Sequence, residues 1–213
     1  MICPFCFSKH SKLLRIGESQ EVFDRLHIIG GGSRECVCPS CYSLDRERLV
    51  YVYLVDYFKV FKKRNLHILH IAPERNIYGF LSKARLPSYL VGSLYSRQYP
   101  FVKDFLTVDI TRTRFSNDSF DLIICNHVLE HIPEESLALN EIRRILKTGG
   151  EAILQVPIAY GLEKTLEDRS IISPAERLRQ YGQKDHVRLY GCDYEHPWAN
   201  SNYHPSNRFM TYS

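Results

Sequence analysis

No stretch of this 213-residue chain approaches the roughly 18 consecutive apolar residues that cross a bilayer, so no helical membrane span is expected. The N-terminus, MICPFCFSKH, has no basic patch followed by an apolar run, so no secretory leader is expected either. Low-complexity tracts and internal repeats are missing. With 44% hydrophobic and 24% charged residues, the composition is that of a packed globular chain rather than a disordered one. Charge of one sign is also lacking: 28 Lys and Arg against 24 Asp and Glu leave a net +4, spread along the sequence. Nucleic acid is therefore not the expected partner, because such partners call for basic residues gathered on one face. No Gly-x-Gly-x-x-Gly follows the first predicted strand, which speaks against a dinucleotide-binding oxidoreductase. The length allows one sizeable domain plus a small appendage.

Cysteine is present in an informative pattern. Seven is an odd number, and four of the seven form two Cys-x-x-Cys pairs, Cys3-Pro4-Phe5-Cys6 and Cys38-Pro39-Ser40-Cys41. Paired thiols of this spacing point to tetrahedral zinc in a reducing compartment, the cytoplasm, rather than to a disulfide framework. Cys3, Cys6, Cys38 and Cys41 are the expected ligands, and Cys36 falls outside the pair pattern. Between the pairs, Leu13 to Ile16, Val22-Phe23 and the Gly30-Gly31-Gly32 turn suffice for a small β-ribbon. A four-cysteine ribbon supplies folding energy where a core of about forty residues would be too small; docking of a partner is the functional alternative. Ser43 is placed to cap a helix running to about Lys63.

The remaining pattern alternates short apolar runs with helical periodicity. Leu66 to Ala72, Ser88 to Leu94, Phe105 to Ile110, Phe120 to Ile124 and Ala152 to Val156 read as strands. Pro73-Glu74 opens one helix, and Pro133 opens another whose apolar face is Leu137, Ala138, Ile142, Ile145 and Leu146, with Gly149-Gly150 as its stop. The apolar run at Phe120–Ile124 suits a strand covered on both faces. The expected fold is α/β: a doubly wound, mostly parallel sheet with a small N-terminal zinc ribbon. The expected division is a ribbon over residues 1–42, a connecting helix over 43–64, an α/β domain over 65–194 and an irregular tail over 195–213, too short of apolar residues for a closing hairpin. Ligands of such sheets sit at the carboxyl ends of the strands, where the polar cluster Asn126, His127, Glu130, His131 falls.

Several segments together resemble a known family. Phe120-Asp121-Leu122-Ile123, Asn126-His127-Val128-Leu129-Glu130-His131 and Arg143-Arg144-Ile145-Leu146-Lys147-x-Gly149-Gly150 are similar to the class I S-adenosylmethionine-dependent methyltransferases of the type 11 group. Cys-Pro-x-Cys, Ser43-Leu44-x-Arg46-x-Arg48-Leu49, Leu69 to Glu74, Gln155-Val156-Pro157 and Gly182 to Gly191 resemble a bacterial subgroup that carries an N-terminal zinc knuckle. Roughly residues 1–194 are covered. The resemblance implies S-adenosylmethionine across the strand ends: Ala72, Pro73 and Glu74 at the methionine moiety, Ser93 at the ribose, Asp109 and Ile110 at the adenine. Asn126 and His127 would flank the methionine part or the acceptor. It further implies methyl transfer to a small-molecule or glycan-like acceptor.

This chain departs from the family pattern at the glycine loop, where His70, Ala72, Glu74 and Asn76 replace an acidic residue and three glycines, and at Ser93, where a carboxylate is usual. The altered loop leaves a second reading, a catalytically weak or inactive relative that serves as a binding or scaffolding module. For chemistry, His127 and the pair Asp185-His186 are the candidate bases. Glu130 and His131 serve either there or as local structural hydrogen-bonding groups. Tyr160, Tyr181, Tyr190 and Tyr194 are read either as acceptor-pocket walls or as scattered surface residues.

Overall fold

A computed structural model of the chain describes residues 1–84, 86–195 and 208–210. In chain order the elements begin with β1 (Leu14–Ile16), α1 (Glu21–Arg25), β2 (Ile28–Ile29), β3 (Arg34–Val37) and α2 (Asp45–Val52). The α/β part then supplies β4 (His67–Ile71), α3 (Arg75–Leu81), β5 (Ser88–Ser93), β6 (Phe105–Thr107), β7 (Phe120–Cys125), α4 (Glu135–Ile145) and β8 (Leu146–Ile153). β9 (Ile158–Ala159), α5 (Pro174–Tyr181) and β10 (Arg208–Met210) complete the described elements. The central sheet has the order β10-β8-β7-β4-β5-β6, and every pairing in it is parallel. This is the Rossmann-like, doubly wound arrangement, with the strand order turning back at β4.

The packing explains the uninterrupted apolar runs. Along β7, Leu122 and Ile124 enter one core with Ile68, Ile153, Ile77 and Leu81, while Ile123 and Cys125 enter the other with Leu69, Ile71, Ala138 and Ile142. Successive side chains of a strand point to opposite faces, and both faces here are roofed by helices. The segment expected as one helix to about Lys63 instead breaks after Val52 into a wider turn over Tyr53–Tyr57, closed by the Phe58 N–H on the Tyr53 carbonyl at 2.8 Å. The turn still delivers Leu54 and Phe58 to the core.

Four local expectations are corrected. Gly149-Gly150 does not stop α4; the helix ends at Ile145, where Leu146 turns extended. The two glycines lie instead in the irregular start of β8. There the pairing jumps from Phe120–Leu146 to Leu122–Glu151, and Gly149 takes φ +75°. Ser43 does not cap α2: Leu44 occupies that place, its N–H bonded by Glu47 at 2.7 Å. Val22-Phe23 belongs to α1 rather than to the ribbon, which is the β1–β3 pair alone. Within the tail expected to be irregular, Arg208–Met210 adds the outer strand of the sheet, and the rest of that tail lies outside the described residues.

The N-terminal segment is built into the α/β part. β2 pairs antiparallel with β9, and Val22, Phe23 and Ile28 join Ala159, Tyr181 and Leu189 in a third core. Gly182 ends α5 at φ +82° with its Cα against Phe23, where a Cβ would come within 2.8 Å of the ring. Arg188, 1% exposed, fixes the segment after β7. It donates to the carbonyls of Leu129 (2.7 Å), Ile132 (2.7 Å) and Pro133 (3.1 Å) and to Glu167 (2.9 Å).

Replacing Arg188 with Met should therefore leave those carbonyls and Glu167 uncompensated, and lower stability in urea unfolding by roughly 3–5 kcal/mol. Arg188→Lys should recover less than half, because an ammonium cannot span three carbonyls in a fixed fork. A loss below about 1 kcal/mol for Arg188→Met would show that something else holds the segment.

Candidate functional site

The carboxyl ends of β4 and β7 lie side by side, with Ile71 in register with Cys125, and each strand leaves the sheet through a residue in the left-handed region: Ala72 at φ +51° and His127 at φ +52°. Two cavities open at this edge. The first, about 650 Å³, is walled by Ala72, Ser93, Tyr99, Asp109, Ile110 and His127 on the side of β4, β5 and β6, and by His131, Pro133, Leu137 and Asp185 opposite. The second, about 670 Å³, is walled by Pro73, Glu74, Asn76 and Asn126 and, from the N-terminal segment, by Cys41, Tyr42, Leu44, Arg46 and Glu47. Ala72, Tyr99 and His127 belong to both walls. Cavities of about 300–1,000 Å³ suit small-molecule ligands.

All eight residues expected at the cofactor thus reach one edge, divided between adjoining cavities. Their roles differ in detail. Asp109 Oδ1 accepts from the Thr111 N–H (2.9 Å) and hydroxyl (2.7 Å), which fixes the turn after β6. Glu74 is the hub of the altered loop: Oε2 meets His70 Nε2 at 2.8 Å, and Oε1 accepts from Asn126 Nδ2 at 3.1 Å. Burial alone would raise the Glu74 pKa, but hydrogen bonds from His70 and Asn126, with the charge of His70, hold it below the usual carboxylate value. His70 Nδ1 is in turn 2.9 Å from the Tyr89 hydroxyl. Asn126 Oδ1 accepts from the Gln155 N–H, and the His127 N–H donates to the Gln155 carbonyl at 2.7 Å, so the segment that follows β8 sets the position of both residues. Asn76 is held by Glu47, 3% exposed, through its backbone and side-chain N–H groups.

The expected Asp185-His186 partnership does not form. Asp185 Oδ2 lies 3.2 Å from His131 Nδ1, while His186 is buried edge-on against the His131 ring with its Nε2 unpartnered. Burial pushes His186 down to about 4, against the pull of the Glu130 charge. Glu130, 1% exposed, faces His127 Nδ1 at 3.3 Å through Oε1. Tyr181, Tyr190 and Tyr194 are core residues rather than scattered surface ones, and Tyr160 alone of the four is exposed.

The four paired cysteines converge. Cys3 and Cys41 Sγ are 3.6 Å apart, and Cys6 and Cys38 Sγ are 3.7 Å apart. Tetrahedral Zn–S bonds of about 2.3 Å place sulfurs about 3.8 Å apart, so these two separations and the all-thiol donor set are compatible with zinc. Ser43 Oγ sits 3.4 Å from Cys3 Sγ and 3.2 Å from Cys41 Sγ, and Arg48 donates to the carbonyls of Ser43 and Cys36. Those contacts give Ser43 and Arg48 their place in the sequence pattern. Cys36 and Cys125 stay outside the cluster, both buried with their thiols pushed up by that burial.

Tyr99, Gln98 and Glu47 line the cavities without having been singled out in the sequence, and Arg46 was noted there only as part of a motif. Tyr99 stacks on Phe105, centroids 5.4 Å apart, but its segment has no periodicity to mark it. Glu47 carries a detectable signal, a carboxylate three residues after the cap position.

Residues 90–154 match the methyltransferase domain family. The tRNA U34 carboxymethyltransferase of Nautilia profundicola is 29% identical over 111 residues, 47% of this chain and 37% of that protein. An uncharacterized protein of Methanocaldococcus jannaschii is 45% identical over 51 residues, 24% of this chain and 22% of that one. The chain thus aligns with well under half the length of these relatives. Among solved structures, the YcgJ protein of Bacillus subtilis superposes with a TM-score of 0.45 at 17% identity, over 65% of this chain and 62% of that one.

Glu74→Gln keeps the shape of the loop and removes the charge. At neutral pH it should lower stability by about 2 kcal/mol, the scale of a charge-assisted hydrogen bond in a buried setting. The sign in pH follows from the depressed value: the wild-type advantage is full above the ordinary carboxylate range and fades as pH falls through the lower folded-state pKa. Urea unfolding of both forms between neutral and strongly acidic pH checks this. An unchanged gap at every pH would mean that Glu74 acts through packing alone.

Proposed function

We propose that this chain transfers a methyl group from S-adenosylmethionine to a small-molecule or glycan-like acceptor, with a zinc ion held by Cys3, Cys6, Cys38 and Cys41 as a structural element. The observation that carries the reading is the strand-end cavity with Ala72, Ser93, Asp109, Ile110 and His127 in its wall, at the carboxyl edge of a parallel sheet. The match of residues 90–154 to the methyltransferase domain agrees with it. Ser93 and Asp109 would take the nucleoside half, and Tyr99 would offer a ring face to it. The amino-acid half would run past Ala72 and His127 toward Asn126, Glu74 and Arg46 in the adjoining cavity.

The glycine-poor loop does not count against this. Ala72 already holds the left-handed turn that glycine would provide, at a cost of about 1–2 kcal/mol, and Glu74 and Asn76 are tied back to His70, Asn126 and Glu47. The wall beyond His127, formed by His131, Pro133, Leu137 and Asp185, is the acceptor side. Methyl transfer is an in-line displacement in which alignment supplies much of the acceleration, so His127 and Asp185 would serve chiefly to position and desolvate an acceptor.

S-Adenosylmethionine and its demethylated product should both raise the melting temperature, as any ligand does that binds only the folded state; at 100 times Kd the gain is about 2.7 kcal/mol. Tyr99→Ala should weaken both ligands about tenfold, the loss of a ring–ring contact of about 0.5–1.5 kcal/mol plus apolar burial. No thermal shift at millimolar ligand would overturn methyl transfer and favour the scaffold reading. For the ribbon, Co²⁺ exchanged into the wild type should show sulfur-to-metal charge transfer, lost in Cys3→Ser/Cys38→Ser. A wild-type spectrum without that band would sink the zinc assignment.

A further inference from the structure

We propose that Glu130, His131 and His186 form a second metal site, for a divalent ion of the zinc or manganese class, behind the wall of the first cavity and separate from the cysteine cluster. The three residues bring one donor atom each within 4.8 Å of one another. They come from distant parts of the chain. Glu130 and His131 lie on the short helical turn after β7, and His186 on the segment that Arg188 and the Val187 N–H fasten to that turn, the latter on the Glu130 carbonyl at 2.9 Å.

Three features argue for a cation rather than a satisfied polar cluster. Glu130 Oε2 and His186 Nε2 are buried without a hydrogen-bond partner, on residues 1% and 3% exposed. Each such orphan costs about 1–3 kcal/mol, and a cation accepting a lone pair from each would satisfy both. The outer partners are also in place. Asp185 Oδ2 engages His131 Nδ1 at 3.2 Å, which leaves Nε2 available, and His127 Nδ1 holds Glu130 Oε1 at 3.3 Å, which leaves Oε2. Metal-binding imidazoles are oriented by a carboxylate on the other ring nitrogen in this way. Finally, two imidazoles and a carboxylate are a donor set for zinc, manganese or iron rather than for calcium or magnesium.

A four-coordinate ion with bonds of about 2.1 Å needs donors about 3.4 Å apart, so the cluster would contract on loading through side-chain rotation. His131 also lines the first cavity. A fourth position reached from that side would take water or, on the methyl-transfer reading, an acceptor oxygen.

Metal counting on the full chain tests the site. Protein equilibrated with ZnCl₂ and desalted should carry two zinc ions by inductively coupled plasma mass spectrometry, and one in His131→Ala, whose side chain is a third exposed and whose loss should spare the fold. Mn²⁺, which tetrathiolate sites disfavour, should bind once in the wild type by water-proton relaxation, and at least tenfold more weakly in His131→Ala and Glu130→Gln. One zinc and no Mn²⁺ in the wild type overturns the proposal whether or not any variant folds. So does a second ion whose affinity is the same in His131→Ala. The counts are independent of S-adenosylmethionine: a second ion with no cofactor shift leaves the site standing and removes the methyl-transfer reading, and the reverse removes only the site.

Discussion

Leu122 and Ile124 pack against one helical layer and Ile123 and Cys125 against the other, so from Leu122 to Cys125 β7 has no face on which a polar side chain could meet water; its one charged residue, Asp121, sits at the start of the strand, paired with Lys147. The same holds for β4, where Ile68, Leu69 and Ile71 divide between the two cores. In strands buried this way, polar groups must collect where the strands end. The one buried exception along β4, His70, is possible because Tyr89 and Glu74 satisfy both of its ring nitrogens. Two-sided burial therefore dictates more than the fold. It forces Ala72 and His127 to turn out of the sheet together, and their adjacent left-handed turns are what open the cavities between them.

A consequence is the placement of charge. The buried carboxylate at this edge is Glu74, four residues after His70. A carboxylate buried at the end of β4 would need donors from within the core. At position 74 it receives one from His70 and one from Asn126, and so bridges the strand-end loops of β4 and β7. An imidazole on the strand and an acid on the loop thus hold the edge together. The left-handed Ala72 is tolerable in this setting because its own N–H is fixed to the Gly92 carbonyl at 2.9 Å.

What could be read from the sequence follows the range of the interactions. β4, β5 and β7 were legible to within a residue or two because an apolar run reports burial locally, and the cysteine pairs were legible because ligand spacing is local too. The end of α4 was not. Gly149-Gly150 reads as a helix stop, yet the stop comes at Ile145, where the chain must realign with Phe120 before β8 can pair. That requirement lies in β7, some twenty-five residues away. Asp185 and His186 were expected to partner each other and do not. From the turn that holds them, Asp185 reaches His131 while His186 is buried against the His131 ring. Tyr99 and Glu47 act only through partners brought by the fold, Phe105 for one and Asn76 for the other.

The N-terminal segment meets the site at three points, and together they bear on why a cysteine cluster accompanies this sheet. Glu47, at the start of α2, holds both the Leu44 N–H and Asn76, so the helix after the second cysteine pair is bonded to the first turn of α3. Gly30, at φ +90°, lies beside the residue before β9, where a Cβ would make ordinary contact with Pro157 Cα (3.4 Å) and the His127 ring (3.7 Å). Tyr42 and Arg46 complete the wall of the second cavity opposite Glu74. The segment between the cysteine pairs has little core of its own, since Val22 and Phe23 are lent to the third cluster with Tyr181 and Leu189. Its order must come from the convergence of four thiols at one end and from β2 on β9 at the other. Loosening the thiol cluster would therefore be felt through Ser43, Leu44 and Glu47 at Asn76 before it was felt in the sheet, which makes the second cavity the part of the site most exposed to the state of the cysteines.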